Sequence, residues 1–167
     1  MTTRCTARGD MPENPATAPV PTDRKLPDGQ HADHWVLCEA ERAKGFVRPV
    51  RLAYEHVGIP GPKYSLRDLT REERDRFSDG SGSGYDKFEA YPDSESPVTG
   101  RYWTQTQLDR VGKGCGVVTR MPLVCAETYA RQPGYYGSTF CCGCRTYLPV
   151  GADGEFVWEG TTQRVGT

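Results

Sequence analysis

Histidine is scarce in this sequence: three in 167 residues, with His31 and His34 beside a proline-rich N-terminal stretch. That leaves few candidates for imidazole acid–base catalysis. Long apolar runs are missing as well. Nothing approaches the roughly 18 residues a membrane-crossing helix needs, so no membrane association is expected. Residues 1–30 contain no apolar stretch of the secretory kind. Neither sign of charge is in excess, with 21 Lys and Arg against 22 Asp and Glu for a formal net charge of -1. This balance excludes a general electrostatic pull toward nucleic acid or an anionic membrane. Apolar residues make up only 36% of the chain, alongside 19 glycines and 13 prolines. Such a composition predicts a loop-rich fold with a thin core, of the kind that commonly relies on an added constraint such as a metal.

What the sequence has in quantity is cysteine, seven in all. Without an export signal the expected compartment is the cytoplasm, where thiols stay reduced, and an odd count argues against a closed set of disulfides. Clustered cysteines in that setting point to metal ligation. The length suits one ordinary domain rather than two.

The expected organisation is a disordered arm over residues 1–30 followed by a single α+β domain over residues 31–167. Pro12, Pro15, Pro19, Pro21 and Pro27 exclude a helix in the arm and leave no apolar face to bury. A short strand is predicted over His34–Cys38, then a charged turn from Glu39 to Lys44. An exposed or edge strand is predicted over Phe46–Leu52, where apolar and basic residues alternate around Pro49. Thr70-x2-Glu73 and Thr104-x2-Gln107 are capping-box patterns, placing short helices over about Arg71–Phe77 and Gln105–Val111. Between them the tract from Ser78 to Gly84 reads as a surface loop. Pro122 suits the first turn of a third helix reaching about Arg131. Aromatic and β-branched residues around Phe140, around Tyr147, and over Glu155–Trp158 predict three final strands.

The C-terminal stretch therefore reads strand, Cys141-x2-Cys144, strand, glycine-containing turn, strand, which is how a zinc ribbon presents half of its site. Two thiolates three apart on a tight knuckle can reach one ion at about 2.3 Å each, and a structural zinc needs four ligands. Cys115, between Gly114 and Gly116, is the expected third. For the fourth, Cys38 closes the set, with His56 as its alternative and Cys125 as a further possibility. Cys38 and Cys125 also read as small buried hydrophobes, Cys125 by its apolar spacing from Met121. Cys142 is expected to point away as a free thiol, and Cys5 to be uninvolved. A thioredoxin-like redox reading of the Cys-x2-Cys pair fails because Pro149 blocks the helix that chemistry requires.

A resemblance extends this reading. Cys115–Thr119, Ala126–Ala130, Tyr136–Cys141, Pro149–Gly151, Gly154–Trp158 and Arg164–Thr167 are similar to stretches of small uncharacterised, zinc-ribbon-like proteins encoded by tailed phages and prophages. Gly45–Arg51 and Arg101–Gln105 resemble that group too. The group often has His where this chain has Tyr147. The resemblance implies a phage-encoded accessory protein, in the host cytoplasm or the virion, and supplies no activity.

Zinc is thus the expected cofactor, and a non-enzymatic binding module with a protein partner the expected function. Tyr135, Tyr136 and Trp158 serve either as a contact patch or as core. A nucleic-acid-binding ribbon is an alternative, because Arg101, Arg110, Lys113, Arg120, Arg131 and Arg145 outnumber the acids between residues 101 and 150. The acidic residues Asp79, Asp86, Glu89, Asp93 and Glu95 argue against it. A minor virion component and a zinc hydrolase with Glu127 or Glu155 as general base complete the set.

Overall fold

The structure, a computed structural model, describes residues 4–6, 25–32, 34–77, 84–92 and 99–167. Most of the expected N-terminal arm, most of the tract from Ser78 to Gly84, and Asp93 and Glu95 lie outside the described residues. In chain order the strands are β1 (Arg4–Thr6), β2 (Trp35–Leu37), β3 (Ala53–His56), β4 (Leu66–Asp68), β5 (Lys87–Ala90), β6 (Gly100–Trp103), β7 (Val118–Arg120), β8 (Ser138–Cys141), β9 (Thr146–Pro149) and β10 (Phe156–Trp158). The helices are α1 (Glu39–Arg42), α2 (Arg71–Arg76), α3 (Gln105–Arg110) and α4 (Leu123–Arg131). This is a loop-rich α+β protein, as expected.

The described residues fall into two compact units, one built from residues 1–57 and 114–167, the other from residues 58–113. In the first, β3 is the central strand of an antiparallel sheet ordered β10-β3-β7, with His56 opposite Phe156 and Tyr54 opposite Thr119. β8 and β9 form a separate hairpin whose turn carries the Cys-x2-Cys. Thus β10 pairs with β3 and does not extend the hairpin. β1 pairs with β2, and the Leu37 amide donates to the Thr128 hydroxyl of α4 at 3.1 Å.

Aromatic residues spaced two apart in β3 and β10 meet α4 to make the core. Tyr54, Tyr129, Cys141, Phe156, Trp158 and Val165 are buried together, with Met121, Tyr136, Leu148 and Val150 against them. Tyr129 meets Trp158 edge-on with ring centroids 5.5 Å apart, an arrangement the ring quadrupoles favour.

Two short segments depart from the sequence expectation. Phe46–Leu52 is not a strand. The amides of Val47 and Arg48 both donate to the Ala130 carbonyl near the end of α4, at 2.9 and 3.0 Å. Pro49 has no N–H to give, so those two donors satisfy a helix end rather than a ladder. The charged turn at Glu39–Lys44 is instead begun by α1, whose Arg42 pairs with Glu127 of α4.

In the second unit β4, β5 and β6 form an antiparallel sheet in that order. Both capping boxes are present as read from sequence: Thr70 accepts from the Glu73 amide and Thr104 from the Gln107 amide, each returned by the acidic or amide side chain. The buried Glu89 carboxylate accepts from the amides of Lys63 and Tyr64 at 2.6 and 2.9 Å and from Trp103 Nε1 at 2.9 Å. These bonds hold its ionised form, and its pKa lies below the ordinary value even though burial pushes it the other way.

Candidate metal centre

Three pieces of the first unit converge on one point. The β8–β9 turn brings Cys141 and Cys144, the end of β3 brings His56, and the loop entering β7 brings Cys115. Their ligand atoms all lie within 4.8 Å of one another. His56 Nδ1 is 3.3 Å from Cys115 Sγ, 3.4 Å from Cys144 Sγ and 3.7 Å from Cys141 Sγ. Cys115 Sγ and Cys141 Sγ are 3.4 Å apart. A zinc ion with ordinary bond lengths in a tetrahedron would set these edges at about 3.6 Å for nitrogen to sulfur and about 3.8 Å for sulfur to sulfur. The group is therefore close to the size and shape of a tetrahedral ligand set, and a Cys3His set is one of the usual structural zinc compositions.

Local structure explains how the four are held. The Cys144 amide donates to Cys141 Sγ at 3.4 Å, and the Arg145 amide to the Cys141 carbonyl at 2.7 Å. This curls the knuckle around the first sulfur. The left-handed residue in that turn is Arg145, at φ 54°. Gly143 is needed for a different reason: a Cβ there would lie 2.7 Å from Cys115 Sγ. Gly114 is constrained more tightly still, since a Cβ would sit 2.0 Å from the His56 carbonyl oxygen. The Gly116 amide then donates to that same carbonyl at 2.9 Å, fastening the Cys115 loop to β3.

The imidazole is oriented from behind. His56 Nε2 lies 2.7 Å from Glu155 Oε2, both residues being buried. The Cys115 amide donates to His56 Nδ1 at 3.2 Å. Together these place the proton on Nε2 and the lone pair of Nδ1 toward the sulfurs, the carboxylate–histidine–metal arrangement that raises ligand basicity and fixes the ring.

The thiols do not behave alike. Burial opposes ionisation of Cys115, but the Val117 amide and the neighbouring His56, Cys141 and Cys144 side chains outweigh it and bring that thiol down to about 7. Cys144 is pushed up to about 11 by burial and by its sulfur neighbours Cys115 and Cys141. One thiolate forms readily, and a second beside it is opposed by like charge. A divalent cation removes that opposition, because coordinated thiols are deprotonated outright.

Of the sequence candidates, Cys115, Cys141 and Cys144 are brought together, and His56 joins them rather than Cys38. Cys38 stands outside the group. It is 2% exposed, sits just before α1 and is disulfide-bonded, so its sulfur has no thiolate to offer. The expectation that every cysteine is a reduced thiol fails there. Cys125 is a buried free thiol within α4, packed as core, and Cys142 is free and exposed. Glu155, weighed as a general base, is instead the partner of His56. No signal in the sequence ties Glu155 to His56, 99 positions away.

No family model, curated protein or solved structure matches this chain. Among the described residues, no helix is long and apolar enough to cross a membrane.

Proposed function

We propose that this protein is a non-enzymatic binding or accessory module whose fold depends on a structural zinc ion held by His56, Cys115, Cys141 and Cys144. The supporting observation is the completeness of the set: four donor atoms within 4.8 Å, three of them sulfur. Catalytic zinc sites keep three protein ligands and an open position, whereas structural sites close with four. The Glu155 carboxylate, which would serve a hydrolase as base, is occupied in orienting His56. Zinc here would contribute folding free energy to a chain whose apolar content is only 36%. A protein partner and phage origin accompany this reading, the latter supported by the resemblance of the sequence described above.

The test is metal content and coordination. The purified protein is expected to carry about one zinc per chain. Cys141→Ser, Cys115→Ser and His56→Ala lose it, and Cys38→Ser retains it. A cobalt-substituted sample gives thiolate charge-transfer and tetrahedral bands that added azide does not alter. Zinc retained in Cys141→Ser, or a cobalt spectrum that shifts with azide, overturns the closed structural site.

A further inference from the structure

Two of the three cysteines in the candidate metal centre, Cys115 and Cys144, are exposed, while Cys141 is fully buried. The buried sulfur is in contact with that of Cys115, the two Sγ atoms lying 3.4 Å apart. Gly143 permits this approach, because a Cβ there would stand 2.7 Å from Cys115 Sγ. A disulfide is about 2.05 Å long, so the pair must close by only about 1.4 Å to bond.

Oxidation of a thiol follows its thiolate character and its exposure. Coordinated thiols are deprotonated outright, so within a loaded site Cys115 and Cys144 combine both properties. Cys142 is exposed as well, but it stands outside the group and gains nothing from a metal. Cys141 would have thiolate character without exposure. That suits it to resolve an oxidised neighbour rather than to meet the oxidant itself.

We propose that the metal centre is also a peroxide-responsive redox centre, in which Cys115 is oxidised, Cys141 resolves it as a disulfide, and the metal is given up. The loss of metal rests on the zinc reading above, whereas the new bond rests on the sulfur geometry. In the first step the Cys115 thiolate attacks hydrogen peroxide. An S–O bond forms, the O–O bond breaks, and the hydroxide released takes a solvent proton to leave as water. In the second step the Cys141 thiolate attacks the sulfenic sulfur. An S–S bond forms, the S–O bond breaks, and a second hydroxide leaves as water in the same way. Hydrogen peroxide gains two electrons, and the two thiolates together lose two.

His56 and Cys144 then remain, two ligands short of a structural zinc site. The bond joins the loop before β7 to the β8–β9 turn, two of the three segments that the four ligands bring together. The oxidised form therefore keeps that link and the packing of the core, and it frees the Cys144 side of the knuckle. Chelation of the reduced protein leaves no such link.

The experiment measures the metal content of the full-length protein and then adds limiting hydrogen peroxide beside a chromophoric chelator. Peptide mapping by mass spectrometry, without reduction, locates any new bond. About one zinc per chain is expected to be released, against none without peroxide. A Cys115–Cys141 peptide should appear, with Cys142 and Cys144 still open to alkylation. The near-ultraviolet circular dichroism should survive oxidation, and one equivalent of dithiothreitol with added zinc should restore the loaded form. Cys142→Ser is expected to respond as the wild type does. The proposal is overturned if Cys115 is joined to Cys142 or Cys144 instead, or if Cys142→Ser abolishes the response. A zinc-loaded sample that forms no bond also overturns it and leaves the zinc reading standing. A sample purified without zinc that still forms the Cys115–Cys141 bond overturns the zinc reading and supports the sulfur chemistry.

Discussion

The two units solve the same problem, polar groups inside a small fold, by opposite means. In the second, the chain supplies every partner itself. Glu89 is met by two backbone amides and an indole N–H, and Glu73 by Arg67 at 2.7 and 2.8 Å, by the Thr70 amide and by the Tyr102 hydroxyl. In the first, three sulfurs and an imidazole nitrogen face one another in a group that could hold a metal ion. Among the described residues, one unit meets its buried carboxylates with donors of its own, while the other gathers thiols that could take an ion as their partner. The difference teaches that where a fold draws its polar partners from decides what it responds to: the second unit should answer to pH, the first to metal supply.

Metal removal is the strongest way to break this comparison. Structural zinc sites carry apparent binding free energies of about 10–16 kcal/mol at neutral pH. Chelation, or Cys141→Ser, is therefore expected to abolish the near-ultraviolet circular dichroism of the Tyr129–Trp158 core, while amide exchange in β4, β5 and β6 stays slow. If the core signal survives chelation, the contrast between the units is lost. Next in size is Glu89→Ala, which takes the acceptor from the Lys63 and Tyr64 amides and strands the buried Trp103 indole N–H, at a cost of about 1–3 kcal/mol. Hydrogen exchange should quicken in β4–β6, with zinc content unchanged.

Smaller effects sharpen the picture. Glu155→Gln keeps the shape but weakens the grip on the His56 proton, so competition with a chromophoric chelator should show about 10- to 100-fold weaker metal binding. The smallest is the acid limb of the second unit. Hydrogen bonds from Arg67, then the Thr70 amide, hold Glu73 down to about 2, below an unfolded value of about 4.3. A depressed carboxylate contributes stability that is full above the unfolded pKa and lost as pH falls toward the folded one. Acid titration between about pH 4.5 and 2 should destabilise the wild-type second unit progressively, and Glu73→Gln should flatten that slope.

Local signals carried much of the architecture. Thr70 with Glu73, and Thr104 with Gln107, announce helix starts because a capping box closes within four residues. Cys141-x2-Cys144 between β-forming segments announces a hairpin knuckle for the same reason of short range. Phe46–Leu52 misled because its alternation is that of a strand, yet its amides find a helix end instead.

By itself, then, the amino-acid order determined the α+β class, the capped helices, the knuckle and three of the four members of the candidate metal group. Only the tertiary structure decided between Cys38 and His56 and matched Glu155 to that imidazole. Those choices depend on β3 lying between β7 and β10, a pairing of segments about 60 and 100 residues apart. Such pairing is settled by burial of Tyr54, Phe156 and Trp158 in one core, a collective property that no local spacing records.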